Sequence, residues 1–237
     1  MSAPAWACRL RCQEAAILVG EWPPAEERDR RTVAVCEVVG RRAVVLGSAQ
    51  RDADLDRDAA ERDGRAVTRR SSGGGAVLVG PGEQAWVEVW LPRDDPLWDD
   101  DVVRSSWWLG DAWLRALGAL GIGGLGVHRG RAERGAWSES VCFAGIGPGE
   151  VTVGEQKLVG ISQRRTRQGA RFQSMALVRW EPAALAGLLA PAVVAATGDP
   201  AELETAAVGL ADVAARDGDD TAALCASVGA AVLDALP

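Results

Sequence analysis

One lysine stands among the 26 basic residues of this 237-residue chain. It is Lys157, in Val153-Gly-Glu-Gln-Lys157-Leu-Val-Gly160-Ile-Ser-Gln-Arg-Arg165. A protein that meets its positive charge almost wholly with arginine makes the one retained lysine a candidate for work a guanidinium cannot do. An ammonium is a compact point charge on a flexible stem, whereas arginine is a planar fork. In so biased a composition, a single lysine can also stand anywhere by chance. Its neighbours argue for a site: Leu158, Val159 and Ile161 favour a strand, and Gly160 lets a ligand or another backbone come close.

A second chemical segment is Arg69-Arg-Ser-Ser-Gly73-Gly74-Gly75-Ala76-Val77. Consecutive glycines let backbone N–H groups converge on an anion, and two arginines add charge that grips a phosphate or carboxylate. The lysine and Ser/Thr of a P-loop are missing after Gly75. The same composition also makes flexible linkers, but here it is squeezed between apolar strands. Cys142, fifteen residues before Lys157, is either a nucleophile or a small buried hydrophobe. His128, the sole histidine, has no recognisable partner spacing and is expected in a structural or rim position. Asp94, Asp95, Asp99, Asp100 and Asp101 are expected to lead into a helix N-terminus rather than to hold a metal. Arg164, Arg165, Arg167 and Arg171 form the densest basic patch, readable as a docking edge or as a solvated hairpin turn.

The elements that must position these groups follow from pattern. An apolar fraction of 48% is ample for a core, and 25% charged residues give an ordinary soluble surface. A net charge of −7 argues against a general nucleic-acid or membrane-surface binder. Five scattered cysteines (Cys8, Cys12, Cys36, Cys142, Cys225) match no zinc spacing and suggest reduced thiols in a cytoplasm. Neither a signal peptide nor a membrane-spanning run is evident. The ten tryptophans and absent tyrosine have no physical account.

Residues 4–19 carry apolar groups at roughly helical spacing. Strands are expected at 32–39, 43–46 and 66–68, with a charged helix over 53–63. Gln84 to Trp90 alternates as a half-buried strand would, and Asp99 to Asp101 precede a helix over 102–120. That helix is expected to turn Trp107, Trp108, Trp113, Leu114 and Leu117 inward. Further strands are expected near Val127 and at 150–153, 157–162 and 170–178. Short alanine-rich helices follow from Pro182, broken near 197–200 and 216–220. Strands in clusters, without regular strand–helix alternation, predict an α+β domain with mixed sheets. Residues 1–190 are expected to form the catalytic domain and 191–237 a short helical C-terminal segment.

Taken in order, Val45-Leu-Gly-Ser-Ala-Gln50, Arg69 to Val77 and Gln156 to Arg164 resemble the lipoate–protein ligase family, which shares its fold with biotin–protein ligases and octanoyltransferases. The resemblance spans roughly residues 10–190. It implies a biotin/lipoate ligase-like catalytic fold and an enzyme attaching a lipoyl or octanoyl group to a lysine of a carrier domain. It places the acyl and adenylate pocket on Arg69, Arg70, Ser72, Gly73, Gly74, Gly75, Ala76, Gly160 and Ser162, with Lys157 on the acyl carbonyl and phosphate. ATP and Mg2+ are implied for a ligase. The implied partners are lipoate or octanoate, and lipoyl domains of 2-oxoacid dehydrogenases or the glycine cleavage H protein.

The chain departs from the ligases after the glycines. Val79-Gly-Pro-Gly-Glu83 replaces the family's histidine–aspartate pair, and the region after Pro191 looks too short and helical for the accessory domain of larger ligases. Cys142, with Glu150 eight residues after it and Lys157 fifteen, is laid out as in octanoyltransferases with a cysteine nucleophile upstream of the strand lysine. That likeness implies octanoyl acyl carrier protein as donor and no ATP. A third possibility is an acyl- or nucleotide-binding module without turnover. The glycine segment favours the adenylate route.

Overall fold

The computed structural model describes residues 5–20, 22–214 and 220–237. Among the described residues, ten strands form two sheets in an α+β arrangement. The larger sheet has the order β1 (Ala7–Gln13), β2 (Thr32–Val38), β6 (Gln84–Pro92), β10 (Gly169–Leu177), β9 (Gln156–Arg165), β8 (Val151–Val153) and β7 (Leu125–Val127). Only β1 and β2 in that sheet run parallel. The smaller sheet sets β3 (Ala43–Leu46) between β4 (Ala66–Arg69), which is parallel to it, and β5 (Val77–Val79), which is antiparallel.

Four layers result. Helices α3 (Trp107–Ala119) and α7 (Thr221–Asp234) cover one face of the large sheet, where Val87, Val89, Leu109, Trp113, Leu117, Val228 and Val232 share a core. The small sheet covers the other face, packing Val45, Val77 and Val79 against Trp86 and Trp90. Its outer face, with Val44 and Leu46, lies under α2 (Arg57–Arg62) and α4 (Pro182–Ala186) through Ala60, Leu185 and Ala186. In α7, Leu224, Val228 and Val232 recur every four residues, which puts them on one helical face. Each such side chain contributes roughly 1.5–3 kcal/mol by leaving water, so the C-terminal segment shares the core of the large sheet.

Three expectations require correction. Residues 7–13 form strand β1 rather than helix, followed by the single turn α1 (Ala15–Leu18). As an edge strand, β1 leaves Leu10 exposed, so its apolar residues do not mark a core face. Strand β6 is buried on both sides instead of half-buried. Helix α3 starts at Trp107 after a 3₁₀ turn at Arg104–Ser106, and its buried stripe is Leu109, Ala112, Trp113, Ala116 and Leu117, with Trp107, Trp108 and Leu114 only half-buried. The Asp101 carboxylate accepts from Val103 N at 2.7 Å, and Arg104 pairs with Asp99 at 2.9 Å. The acidic loop thus caps that lead-in turn. The expected break at 216–220 falls almost wholly outside the described residues, as does residue 4.

One of the charged groups buried in the core is Glu88. Its side chain is fully buried between Arg11, at 2.5 Å, and Arg171, whose Nε lies at 2.7 Å. Burial pushes the Glu88 carboxyl up, and the guanidiniums of Arg171 and Arg11 oppose that shift. Arg171 also donates to Leu18 O at 2.8 Å and to Gly20 O, which ties α1 to the sheet. Glu88→Ala leaves two guanidiniums facing each other in the core and is expected to cost about 3–5 kcal/mol. Urea unfolding measures it, and a loss below about 1 kcal/mol would contradict the assignment.

Candidate active site

A cleft of about 1030 Å3 runs between the two sheets. Its floor is the face of the large sheet carrying Gly160 and Ser162 on β9, Gln173 and Met175 on β10, and Trp86 on β6. Register explains the grouping: Met175 pairs with Gly160 and Trp86, so these residues share a row and a face. Val45 and Val77 face them from the small sheet, and Val19 closes one side. The second helix after β10, α5 (Pro191–Thr197), adds Ala192, Val193, Ala196 and Thr197 to the wall.

Lys157 enters this cleft from β9 and is 4% exposed. Its ammonium donates to Cys142 O at 3.0 Å and Gly145 O at 3.1 Å, and pairs with Glu150 Oε2 at 2.7 Å. All three N–H groups are engaged. The ring of Phe143 lies 4.9 Å from Nζ. The backbone at Lys157 is fixed from outside the sheet by two bonds, Lys157 N to Ala206 O and Val208 N to Lys157 O. Gly160 is required by closeness. A Cβ there would stand 3.2 Å from Phe143 Cζ and 3.3 Å from Lys157 Cε.

Glu150, noted in the sequence only for its place eight residues after Cys142 and given no role there, completes the group. Its Oε2 accepts from Gly147 N at 2.6 Å and its Oε1 from Ile161 N at 2.9 Å. The readable signal was that a buried lysine needs a counter-ion, and that Gly145-Ile-Gly-Pro-Gly-Glu150 holds an acid among residues built for close turns.

The two arginines of the glycine segment part ways at the end of β4, Arg69 being its last residue and Arg70 the first beyond it. Arg70 turns inward and is 6% exposed. Its Nη2 donates to Gly73 O and Gly75 O, both at 2.8 Å, and reaches Cys142 Sγ at 3.7 Å. It therefore shapes the glycine loop from within. Arg69 turns away, donating to Gly47 O at 2.8 Å, to Gln50 O, and to Asp52 at 2.6 Å. It braces the turn after β3 and does not line the cleft. Ser72 donates to Ser162 Oγ at 3.1 Å, joining loop to floor.

Of the glycines, Gly73 and Gly74 line the cleft. Gly74 has φ +94°, which disfavours any side chain. Gly75 lies behind, where a Cβ would sit 2.3 Å from Val141 N. Ala76 N donates to Ser140 O at 2.8 Å, and Ala76 O accepts from Cys142 N at 2.9 Å, so Gly75 and Ala76 carry the segment that presents the cysteine. Gly75→Ala is therefore expected to displace Cys142 and lower activity about a hundredfold, the cost of roughly 1 Å of misplacement. Gly73→Ala, with nothing within 4 Å of its Cβ, should stay close to wild type. Equal activity in both variants would refute this reading of the loop.

Other candidates are placed elsewhere. His128 Nε2 lies 2.8 Å from Arg131 O, outside the cleft lining. Arg171 belongs to the Glu88 pair, and Arg165 stacks over Trp98 at 4.1 Å, which leaves Arg164 and Arg167 as the exposed part of the expected basic patch. Among the described residues no group of three or more His, Cys, Asp or Glu side chains is placed to hold a metal ion. Among them, too, no helix is long and apolar enough to cross a membrane.

Solved structures share this architecture. The T. acidophilum protein Ta0514 with bound lipoic acid superposes with a TM-score of 0.60 at 19% identity, covering 87% of this chain and 74% of that one. A bipartite lipoate protein ligase of Thermoplasma acidophilum, solved with its E2 lipoyl domain, gives 0.61 at 16% identity over 96% and 84%. A lipoate-protein ligase A bound with ATP gives 0.59 at 19% over 87% and 74%. At these identities the likeness establishes the fold. Comparison with curated proteins finds no significant match. The family model of the lipoyl protein ligase A/B catalytic domain matches residues 25–223. With the inter-sheet cleft, the glycine segment and the strand lysine in one site, the chain is an enzyme that belongs to the lipoyl protein ligase A/B catalytic-domain family.

Proposed function

We propose that the cleft moves a lipoyl or octanoyl group onto a lysine of a lipoyl domain, and that the group passes through a thioester on Cys142. The acyl chain lies on the apolar floor formed by Gly160, Met175 and Trp86, with Val45 and Val77 above it. Its carbonyl reaches Lys157, which exchanges one of its backbone acceptors for the substrate oxygen and offsets the charge that grows there.

The observation that carries the thioester route is the seat of Cys142. Its sulfur lines the cleft 3.7 Å from Arg70 Nη2, while its own carbonyl is held by Lys157 at 3.0 Å. The Cys142 thiolate attacks the carbonyl of an acyl thioester on a carrier protein. The bond to the carrier sulfur breaks, and that sulfur leaves as a thiol carrying the proton that Cys142 gave up. The neutral amine of the target lysine then attacks the enzyme thioester, forming the amide and releasing Cys142.

A second reading, activation of the free acid by ATP, is favoured by the room available. A cleft of about 1030 Å3 with Gly73 and Gly74 bare along its edge is large enough for an acyl-adenylate. The bound ATP of the ligase A structure lends it support. In that route Mg2+ would travel on the ATP phosphates. Against it, Arg69 and Arg70 already donate to Asp52 and to loop carbonyls, so neither is poised to grip a phosphate. The deciding experiment presents a lipoyl domain with octanoyl carrier protein alone, or with octanoate and ATP. Octanoylation in the first mixture only supports the thioester. Octanoylation in the second only refutes it in favour of the adenylate.

A further inference from the structure

An acyl-transfer site that contains a lysine contains a competing acceptor. Whether the acyl group is held as a thioester or as an adenylate, its carbonyl lies beside an amine of the enzyme itself. Attack by Lys157 Nζ would form an amide bond, expel the Cys142 thiol or AMP, and end the cycle with a dead enzyme. We infer that Glu150 is the positioning residue that prevents this, holding Lys157 as an ammonium with its nitrogen turned onto its own chain.

Three observations carry the inference. Glu150 and Lys157 are both about 95% buried and pair at 2.7 Å, so the contact is shielded from solvent and salt. Every N–H of the ammonium is spoken for, by Glu150 Oε2, Cys142 O and Gly145 O, and a nitrogen donating three hydrogen bonds has no lone pair with which to attack. Finally, the carboxylate is fixed independently of the lysine, since Gly147 N and Ile161 N both donate to it. When Lys157 releases a carbonyl to take up the substrate oxygen, Glu150 remains in place. The nitrogen then meets the acyl carbonyl through a proton rather than through a lone pair. A hydrogen-bond donor and a nucleophile are the two states of one amine, and the buried acid selects the first.

This rests on the acyl-transfer reading, and the test separates the two. Wild type and Glu150→Gln are each incubated with octanoyl carrier protein, or with octanoate and ATP, without any lipoyl domain. Acylation is then located by peptide mass spectrometry before and after hydroxylamine, which cleaves thioesters and spares amides. Lys157 is the sole side-chain amine, so the readout is unambiguous. Wild type should carry no hydroxylamine-resistant octanoyl group on Lys157. In Glu150→Gln, resistant octanoyl should accumulate there with time, in step with lost transfer activity.

A merely structural role for Glu150 would lower activity without marking Lys157. A second arm needs no acyl-transfer activity: each protein is treated with an acetylating reagent, and Lys157 labelling is compared with that of the N-terminal amine. Labelling of Lys157 should rise at least tenfold in Glu150→Gln and be restored toward wild type in Glu150→Asp. Lys157 of the wild type labelling as fast as the N-terminal amine would overturn the inference, whether or not the variants fold. So would a folded Glu150→Gln protein that shows neither self-acylation nor faster labelling.

Discussion

Lys157→Arg is expected to lower acyl transfer by about a hundredfold to a thousandfold, the loss seen when one preorganised donor to a developing oxyanion is removed. The substitution keeps the positive charge and changes only its shape. In the structure, three acceptors converge on a single nitrogen within 3.1 Å, from the Cys142 carbonyl, the Gly145 carbonyl and Glu150. A guanidinium spreads its donors across a plane and cannot present one point to three directions. It also has nowhere to go, with Phe143 on one flank and the glycine at 160 already close to Lys157 Cε. The measurement is the initial rate of transfer to a lipoyl domain. It is paired with a melting curve, which guards against reading misfolding as lost catalysis. A folded Lys157→Arg protein within a few-fold of wild type would remove Lys157 from the centre of the site.

The same lysine marks how far the sequence could be read. Its singularity among arginines drew attention to a residue that lines the cleft between the sheets. The β-branched pattern around it placed it on a strand, which it is. The strands built from compact apolar runs, at 32–38, 43–46 and 169–177, were legible because each has its partners on both sides and a buried face. Strand β1 was not. Its Arg11 turns inward to Glu88 while Leu10 stays exposed, so polarity and burial are exchanged at that edge.

Partnerships between distant segments were also out of reach. Nothing local predicts that Ala206 and Val208 bond the backbone at Lys157, or that α5 walls the cleft. The arginine pair is a different case. Reading Arg69 and Arg70 as one grip overlooked that the chain leaves β4 between them, so that one braces Asp52 and the other the glycine loop. Glu150 stayed in the background because a single acid in a glycine-rich turn has no pattern of its own. Its meaning arises only when Gly147, Lys157 and Ile161 are brought around it.

Cys142→Ser is expected to lower transfer from octanoyl carrier protein by at least about a thousandfold, because the serine hydroxyl is almost wholly protonated near neutrality and needs a base to attack. The structure supplies none of the usual kind. His128 is bound to Arg131 O outside the cleft, and the buried carboxylate that lines it, Glu150, is already held by Lys157, Gly147 and Ile161. The substitution is nearly isosteric, and the half-buried side chain keeps its place through the backbone bond from Cys142 N to Ala76 O. Folding should therefore be unaffected. Wild type incubated with octanoyl carrier protein should gain one octanoyl group on Cys142 that hydroxylamine removes, and the serine variant should gain none. The other half-buried thiol, Cys225, provides an internal control, since burial pushes it up to about 11 and the cleft lining does not include it. It should remain unacylated throughout. If Cys142→Ser instead keeps near-normal octanoylation of a lipoyl domain from octanoate and ATP, the sulfur is a wall of the cleft and the acyl group travels as an adenylate.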